Sequence, residues 1–196
     1  MAKLLYQGHS SFRITTDSGT VIYVDPFVGS GYDLPADIIL VTHGHHDHNR
    51  IDLPAKKPDC CIITSEVALS GGHHNKFLER GVRIESVEAK NLMHNPKKCV
   101  GYIISFDGIQ IYAAGDTSRT KQMESFAERH FDYALFPCDG IINMRLKEAA
   151  RCAELIGAKH NTPVHLRPGR LFDRSRAEKW KAPNRLILEP EQEIIL

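Results

Sequence analysis

Short apolar segments rich in valine, isoleucine and tyrosine recur from the start of the chain, and polar turn residues separate them. Glycine, proline, aspartate or asparagine bounds each segment, which is typical of strands joined by tight turns. In the first part of the chain this pattern predicts five strands, over residues 3–7, 11–15, 20–25, 37–42 and 60–64. Residues 16–19 are predicted to form a hairpin turn between the second and third strands. Helical turns are expected within residues 66–80, although Gly71 and Gly72 disfavour a continuous helix.

The second part of the chain repeats this order of strands and helices. Strands are predicted over residues 82–87, 100–106, 110–114, 132–137, 162–165 and 185–189, with a hairpin turn at Asp107 and Gly108. Helices are predicted over residues 118–130 and 146–156, the second with apolar residues at helical spacing and Gly157 as its C-terminal cap. Because strands precede a helix twice, we expect two similar α/β halves whose sheets pack face to face with helices outside.

Composition indicates one soluble globular domain over residues 1–196. The chain is 42% hydrophobic and 25% charged, which suffices for one core and argues against disorder or fibres. Its five cysteines are an odd number without a C-x-x-C pair, so we expect reduced thiols rather than a disulfide framework. The N-terminal residues lack the apolar region of a signal peptide, and no apolar run approaches the roughly 18–20 residues that span a bilayer. We therefore expect a cytoplasmic protein outside the membrane.

Charge is balanced overall but uneven along the chain. A net charge of +1 gives no general attraction to nucleic acid or anionic membranes. Residues 167–185, however, carry seven basic and two acidic side chains, a net +5 that leaves −4 for the remainder. This basic segment is predicted either to bring guanidinium groups to a phosphate-bearing substrate or to form a solvated face around Trp180.

A histidine-rich motif follows the predicted strand 37–42 directly, and residues 43–48 have the sequence His-Gly-His-His-Asp-His. A strand that ends in several ligands projects them from a rigid edge into a turn, where they can converge on a metal ion. Imidazole nitrogens suit zinc, iron and other first-row metals, and a carboxylate adds charge. The spacing predicts that one metal takes His43 and His45 and a neighbouring metal takes Asp47 and His48. His46 is expected at the surface or behind the ligands.

Two later strand ends carry further candidate ligands. Asp116 follows the predicted strand 110–114, and Gly115 before it allows close approach of the backbone. A carboxylate there can bridge two cations, whereas His165 delivers an imidazole from the end of the strand 162–165. Taken alone, a helix N-terminal aspartate and an ordinary buried histidine explain these residues equally well. The motif at residues 43–48 favours metal ligands.

These motifs resemble the metallo-β-lactamase superfamily, in particular the small cytoplasmic branch that includes the ascorbate-6-phosphate lactonase-like metal-dependent hydrolases. The resemblance is carried by residues 8–12, 24–27, 43–48, 115–117, 136–140 and 163–165. It implies an αββα sandwich, an α/β fold in which two mixed β-sheets pack face to face with helices outside. It also implies a two-metal site at the edge where these strands end.

The resemblance implies a role for each candidate ligand. The first metal is assigned to His43 and His45. The second is assigned to Asp47, His48 and His165. Asp116 would bridge the two metals.

The first metal needs a third histidine, for which His73, His74 and His94 are the candidates. His94 is favoured because it lies between the strands 82–87 and 100–106, as the family's third histidine does. Asn95, which follows it, departs from the serine that is common there. His9, in the turn between the first two strands, is predicted either to orient a leaving group or substrate oxygen, or to be a turn histidine bonded to the backbone.

This ligand set and the resemblance together imply a metal-dependent hydrolase. Two divalent metals, zinc in the first place and manganese or iron as alternatives, would hold a bridging hydroxide that attacks a carbonyl or phosphorus centre. Asp47 and His9 are the predicted catalytic residues, with Asp47 handling a proton. The expected partner is a small-molecule substrate, namely an ester, a lactone or an anionic phosphorylated compound, and a homo-oligomer is compatible with the sequence.

Two other functions stay open at this point. A phosphodiesterase or nuclease acting on nucleic acid or nucleotides is supported by the basic segment, but the chain has no appended nucleic-acid-binding domain and no overall positive charge. A metal-binding protein without turnover is the second alternative, because a complete ligand set does not by itself establish catalysis.

Overall fold

Twelve strands form two six-stranded sheets in the computed structural model, which describes all 196 residues. The strands in chain order are β1 (Lys3–Gly8), β2 (Ser11–Thr15), β3 (Val21–Val24), β4 (Ala36–Leu40), β5 (Lys56–Ile63), β6 (Lys76–Glu79), β7 (Val82–Glu88), β8 (Val100–Phe106), β9 (Ile109–Ala113), β10 (Tyr133–Pro137), β11 (His160–Val164) and β12 (Glu193–Ile195). The first sheet has the order β12-β1-β2-β3-β4-β5 and the second has the order β11-β10-β9-β8-β7-β6.

Both sheets share one pairing pattern, which agrees with the expectation of two similar halves. In the first sheet β12, β1, β2 and β3 pair antiparallel, and β3, β4 and β5 pair parallel. In the second sheet β6, β7, β8 and β9 pair antiparallel, and β9, β10 and β11 pair parallel. Each sheet is therefore mixed, and each contributes the carboxyl ends of three parallel strands to one edge.

The sheets pack face to face around the main core, in which Tyr6, Phe12 and Ile38 meet Tyr102 and Ile104. Burial of this apolar surface is the main favourable contribution to folding. The two sheets are also joined directly, because the Val100 N–H donates to the Thr42 carbonyl over 2.9 Å.

Helices cover the outer face of the second sheet, whereas loops cover the outer face of the first sheet. The helices are α1 (Ser65–Ala68), α2 (Leu146–Ile156), α3 (Arg174–Lys179) and two 3₁₀ segments, Ser70–Gly72 and Lys121–Arg129. Ala153 of α2 and Trp180, which follows α3, pack with Phe136 on the outer face of the second sheet. On the outer face of the first sheet, Tyr32 and Leu34 from a loop pack against the strands. No helix of the structure has the length and apolar character that crossing a membrane requires.

Three elements differ from their predictions. The predicted helix 118–130 is a 3₁₀ helix, Lys121–Arg129, whose buried residues Met123 and Phe126 are three positions apart, which matches three residues per turn. The helical turns expected within residues 66–80 end at Gly72, and β6 follows. Arg80 and Gly81, both with positive φ, turn β6 back into β7, and this two-residue hairpin signal identifies the strand that was missed.

The predicted strand 185–189 is wrong. Only Arg185 forms an isolated bridge, with Asn161, and the last strand is β12. The alternation that suggested a strand arises because Leu186 and Leu188 face the core between the sheets while Ile187 faces the cluster under the helices. Beyond its bridge to β11, the segment alternates like a strand but does not pair along a neighbouring strand.

Gly115→Ala is expected to destabilise the protein more than Gly108→Ala, as urea unfolding can measure. Both glycines have positive φ, +65° and +79°, so alanine costs about 1–2 kcal/mol at either position. A Cβ on Gly115 would also lie 2.6 Å from the Val100 carbonyl oxygen, which adds about 1–3 kcal/mol of overpacking. At Gly108 nothing lies within 4 Å of a Cβ. Equal losses would contradict this close approach.

Candidate metal centre

The motif that follows β4 forms a tight turn, because the His48 N–H donates to the His45 carbonyl over 3.0 Å. His43 and His48 are buried, whereas His45 is exposed at the mouth of the site. His46 is exposed as well, beside the Phe27 ring, in agreement with its prediction.

The first group of candidate ligands consists of His43, His45 and His94, whose ring centroids are 4.6–4.8 Å apart. His94 Nε2 lies 3.2 Å from His45 Nδ1. Of the three histidines considered in the sequence, the structure therefore brings His94 to the motif. His73 is instead exposed, with its Nδ1 3.3 Å from the Gly71 carbonyl, and neither it nor His74 joins a cluster of candidate ligands.

The second group consists of His9, Asp47, His48 and His165, whose ligand atoms lie within 4.8 Å of one another. Asp116 lies between the two groups. One of its oxygens is 3.5 Å from His48 Nε2. The other is 3.4 Å from His165 Nε2 and 3.7 Å from His94 Nε2. Asp116 therefore faces histidines of both groups.

Several inward-facing atoms at this site are buried without a hydrogen-bond partner, among them His43 Nε2, His48 Nε2 and Asp116 Oδ1. Buried polar atoms are rarely left unpaired, so such a convergence needs an explanation. The opposite ring nitrogens are held from outside: His48 Nδ1 lies 2.8 Å from Asp25 Oδ2, and His43 Nδ1 lies 3.1 Å from Thr42 Oγ1. Ring nitrogens oriented in this way, around a carboxylate, fit divalent metal ions.

The electrostatics agree with a cation at this position. Burial and the nearby His48 lower the pKa of His43 to about 2, which leaves the neutral imidazole that metals bind. Although burial opposes ionisation of Asp116, His48 and His165 outweigh it and lower its pKa, and the Asn143 amide adds to this effect. Burial lowers the pKa of His48 too, but Asp116 and Asp25 raise it to about 9. The carboxylates therefore favour a proton on His48, and a metal ion bound by His48 would take the place of that proton.

His9 contacts both the backbone and the candidate site. Its Nδ1 lies 3.0 Å from the Arg170 carbonyl, and its Nε2 lies 3.2 Å from Asp47 Oδ2. The contact with the Arg170 carbonyl agrees with a turn histidine bonded to the backbone. The contact with Asp47 places the same ring at the candidate site, where it could orient a substrate oxygen. Burial raises the pKa of Asp47, but the hydrogen bond with His9 and the charge of His48 hold it well below its usual range.

Asp25 is a residue of this site to which the sequence assigned no role. It accepts hydrogen bonds from Thr42 N and Thr42 Oγ1, each over 2.7 Å, and contacts His48 Nδ1 over 2.8 Å. Its position at the end of β3, which pairs in parallel with β4, could have indicated it, because parallel strands present their carboxyl ends together. Asn91, Asp139 and Asn143 were missed as well.

Several cations of the basic segment 167–185 are engaged in contacts within the chain. Arg167 pairs with Asp173, and Arg174 pairs with Glu189. Arg176 Nε donates to the Cys138 carbonyl over 2.7 Å. Together with the complete burial of Trp180, these contacts favour a structural face over a phosphate-binding surface.

Comparison with known proteins identifies the family. A family model described as the beta-lactamase superfamily domain matches residues 3–165. This chain belongs to that superfamily. It is 31% identical over 192 residues to a UPF0173 metal-dependent hydrolase of Pyrococcus furiosus, with 84% of each chain covered.

Solved structures support the same fold. A crystal structure from Parabacteroides distasonis has a TM-score of 0.74 at 28% identity and covers 95% of this chain and 91% of that chain. Igni18, a metallo hydrolase from Ignicoccus hospitalis, has a TM-score of 0.77 at 22% identity, with 98% and 97% of the two chains covered.

These findings confirm three predictions: the superfamily, the sandwich of two mixed sheets, and a metal-dependent hydrolase. The relation to the lactonase-like branch stays a prediction. So do the number and identity of the metals, the role of each site residue and the substrate.

Asp25→Ala is expected to weaken zinc binding about 10–100-fold, because loss of a partner behind a metal-ligating histidine has effects of that size. Competition with a chromophoric chelator measures the affinity. Asp37→Ala is the matched control, since Asp37 is an equally buried aspartate that accepts from Val21 N at the far end of β4. Unchanged zinc affinity in the Asp25 variant would show that His48 is held by other contacts.

Proposed function

We propose that this chain hydrolyses a small substrate with two divalent metal ions held at the edge where the two sheets meet. The observation that carries the proposal is the group of buried, unpartnered Nε2 and carboxylate atoms that converge around Asp116. The proposed ligands are His43, His45 and His94 for the first metal, Asp47, His48 and His165 for the second, and Asp116 for both. We expect zinc, and these nitrogen and oxygen ligands also suit manganese or iron.

When bound, two such metals would supply a hydroxide nucleophile at neutral pH and stabilise negative charge that develops on the substrate. The protein's own contribution is to hold these groups in place and to move a proton. Asp47 Oδ2 and His9 Nε2 are 3.2 Å apart, close enough to share one proton. Burial lowers the pKa of His9, which favours a neutral ring that can accept a proton released at the site.

The surroundings of the site favour a small substrate over a nucleic acid. A cleft of about 310 Å³ lies beside the first group and is lined by His45, Met93, Lys98 and Glu66 among others. A cation and a carboxylate in the same cleft suit a compact polar compound such as a lactone, an ester or a phosphorylated molecule. The contacts that Arg167, Arg174 and Arg176 make within the chain weaken the main support for a nuclease.

We further infer that residues 1–196 act as one catalytic domain in the cytoplasm. The pairing of β12 with β1, which joins the two ends of the chain, supports a single domain. All five cysteines are free thiols, which agrees with a reducing compartment.

Protein purified without chelator is expected to contain close to two transition metal ions per chain by elemental analysis. His48→Ala and Asp116→Ala should reduce this content, because each removes a proposed ligand. His46→Ala is the control from the same motif, since His46 is exposed and lies outside the ligand groups. Less than one metal per chain in a metal-supplied preparation, unaffected by the ligand variants, would overturn the proposal.

A screen of lactones, phosphodiesters and thioesters is expected to find hydrolysis that Asp47→Ala lowers about 10²–10⁴-fold, the size of a general acid–base contribution. His46→Ala should retain the rate. RNA binding that weakens steeply with salt, together with phosphodiester cleavage, would favour the nuclease instead.

A further inference from the structure

The loop after β7 holds His94 through one amide side chain. Asn91 Oδ1 accepts hydrogen bonds from the backbone N–H groups of Met93 and His94, each over 2.8 Å, and lies 2.9 Å from His94 Nδ1. Since Asn91 Oδ1 is an acceptor, His94 donates from Nδ1, and its Nε2 is left facing Asp116. Asn91 therefore fixes both the loop and the orientation of this imidazole.

The loop after β10 places a carboxylate beside His165. Asp139 Oδ1 accepts from the backbone of Ile141 and Ile142 over 2.7 and 2.8 Å. Asp139 Oδ2 accepts from Asn143 Nδ2 over 2.7 Å and lies 3.2 Å from His165 Nδ1. The carboxylate thus faces the nitrogen of His165 that points away from Asp116.

A single hydrogen bond joins these two loops, from Asn91 Nδ2 to Asn143 Oδ1 over 2.8 Å. It is the only hydrogen bond between residues 89–99 and residues 138–145. The hydrogen bonds form a continuous path. His94 Nδ1 donates to Asn91, Asn91 Nδ2 donates to Asn143, and Asn143 Nδ2 donates to the Asp139 carboxylate, which lies beside His165. Four of these five residues are at least 94% buried, and Asn91 is partly exposed.

We propose that Asn91 and Asn143 form an amide bridge that positions the histidines of both metal ions. The proposal rests on the proposed function, because it concerns how that site is held. Asn143 does not contact His94, so the bridge predicts that a change at Asn143 alters metal binding at the first position through Asn91. Asn91 and Asn143 are positioning residues, since neither reaches the reacting atoms.

The test isolates the first metal position in a His165→Ala background, where zinc affinity is measured by chelator competition. Asn143→Leu, which has a similar volume but no polar atoms, is expected to weaken zinc binding about 10–100-fold there. Asn91→Asp keeps the oxygen that holds the loop but loses the Nδ2 donor to Asn143. In that background Asn143→Leu is expected to weaken zinc binding no further, because the bridge is already broken. Because the amide that lowers the pKa of Asp116 is on Asn143, a further loss in that background would assign the effect to Asp116 instead.

A second measurement uses the full-length protein without the His165 change. Ring ¹⁵N NMR of the zinc-loaded protein is expected to show a hydrogen-bonded His94 Nδ1 whose signal shifts in Asn143→Leu. Asn75→Ala is the control, since Asn75 also donates to loop carbonyls, with Ser70 O at 2.8 Å, but lies outside the site.

The outcomes separate the two proposals. If the unaltered protein binds neither zinc nor manganese nor iron, the proposed function fails. If it binds two ions but Asn143→Leu leaves both the affinity at the first position and the His94 signal unchanged, the amide bridge is overturned. Equal weakening by Asn143→Leu with and without Asn91→Asp would also overturn it, because the loss would then come from Asp116 or from packing of the loop.

Discussion

A buried carboxylate that must be compensated is the constraint on which this molecule depends. Asp116 is only 2% exposed, and an ionised carboxylate removed from water is strongly unfavourable without nearby positive charge or donors. Imidazoles from three separate segments, His48, His94 and His165, come within 3.4–3.7 Å of its oxygens. Unpartnered Nε2 atoms beside it indicate that the histidines alone do not complete this compensation. A divalent metal ion would.

The arrangement of the sheets brings these segments together. Each half contributes three parallel strands whose carboxyl ends lie at one edge, and the loops that follow β4, β9 and β11 start there. Gly115 lets the second sheet approach Thr42 of the first sheet more closely than a side chain would allow. Short-range supports such as Asp25 behind His48 then orient each ring. The amide bridge would extend this support from one metal position to the other.

Strands were predicted correctly where the local pattern of apolar and polar residues was sufficient. The predictions failed where contacts with distant residues determine whether a strand forms. The segment 185–189 alternates because it lies between two apolar clusters, and no strand pairs along it. Conversely, β6 has little pattern of its own and forms because the Arg80–Gly81 turn lays it along β7. The 3₁₀ geometry of Lys121–Arg129 likewise depends on which residues the second sheet buries.

The sequence by itself determined the superfamily, the mixed-sheet sandwich and the set of candidate ligands, because those depend on local motifs and on the order of strands. Only the tertiary structure decided that His94 rather than His73 or His74 joins His43 and His45. It also revealed Asp25 and the two asparagines, and it showed which cations of the basic segment are paired, as Arg167 is with Asp173. The physical reason is that hydrogen bonds and metal ligation act over about 2–4 Å, between residues that are far apart in the chain. Spacing along a sequence cannot report such distances, whereas strand pairing fixes them.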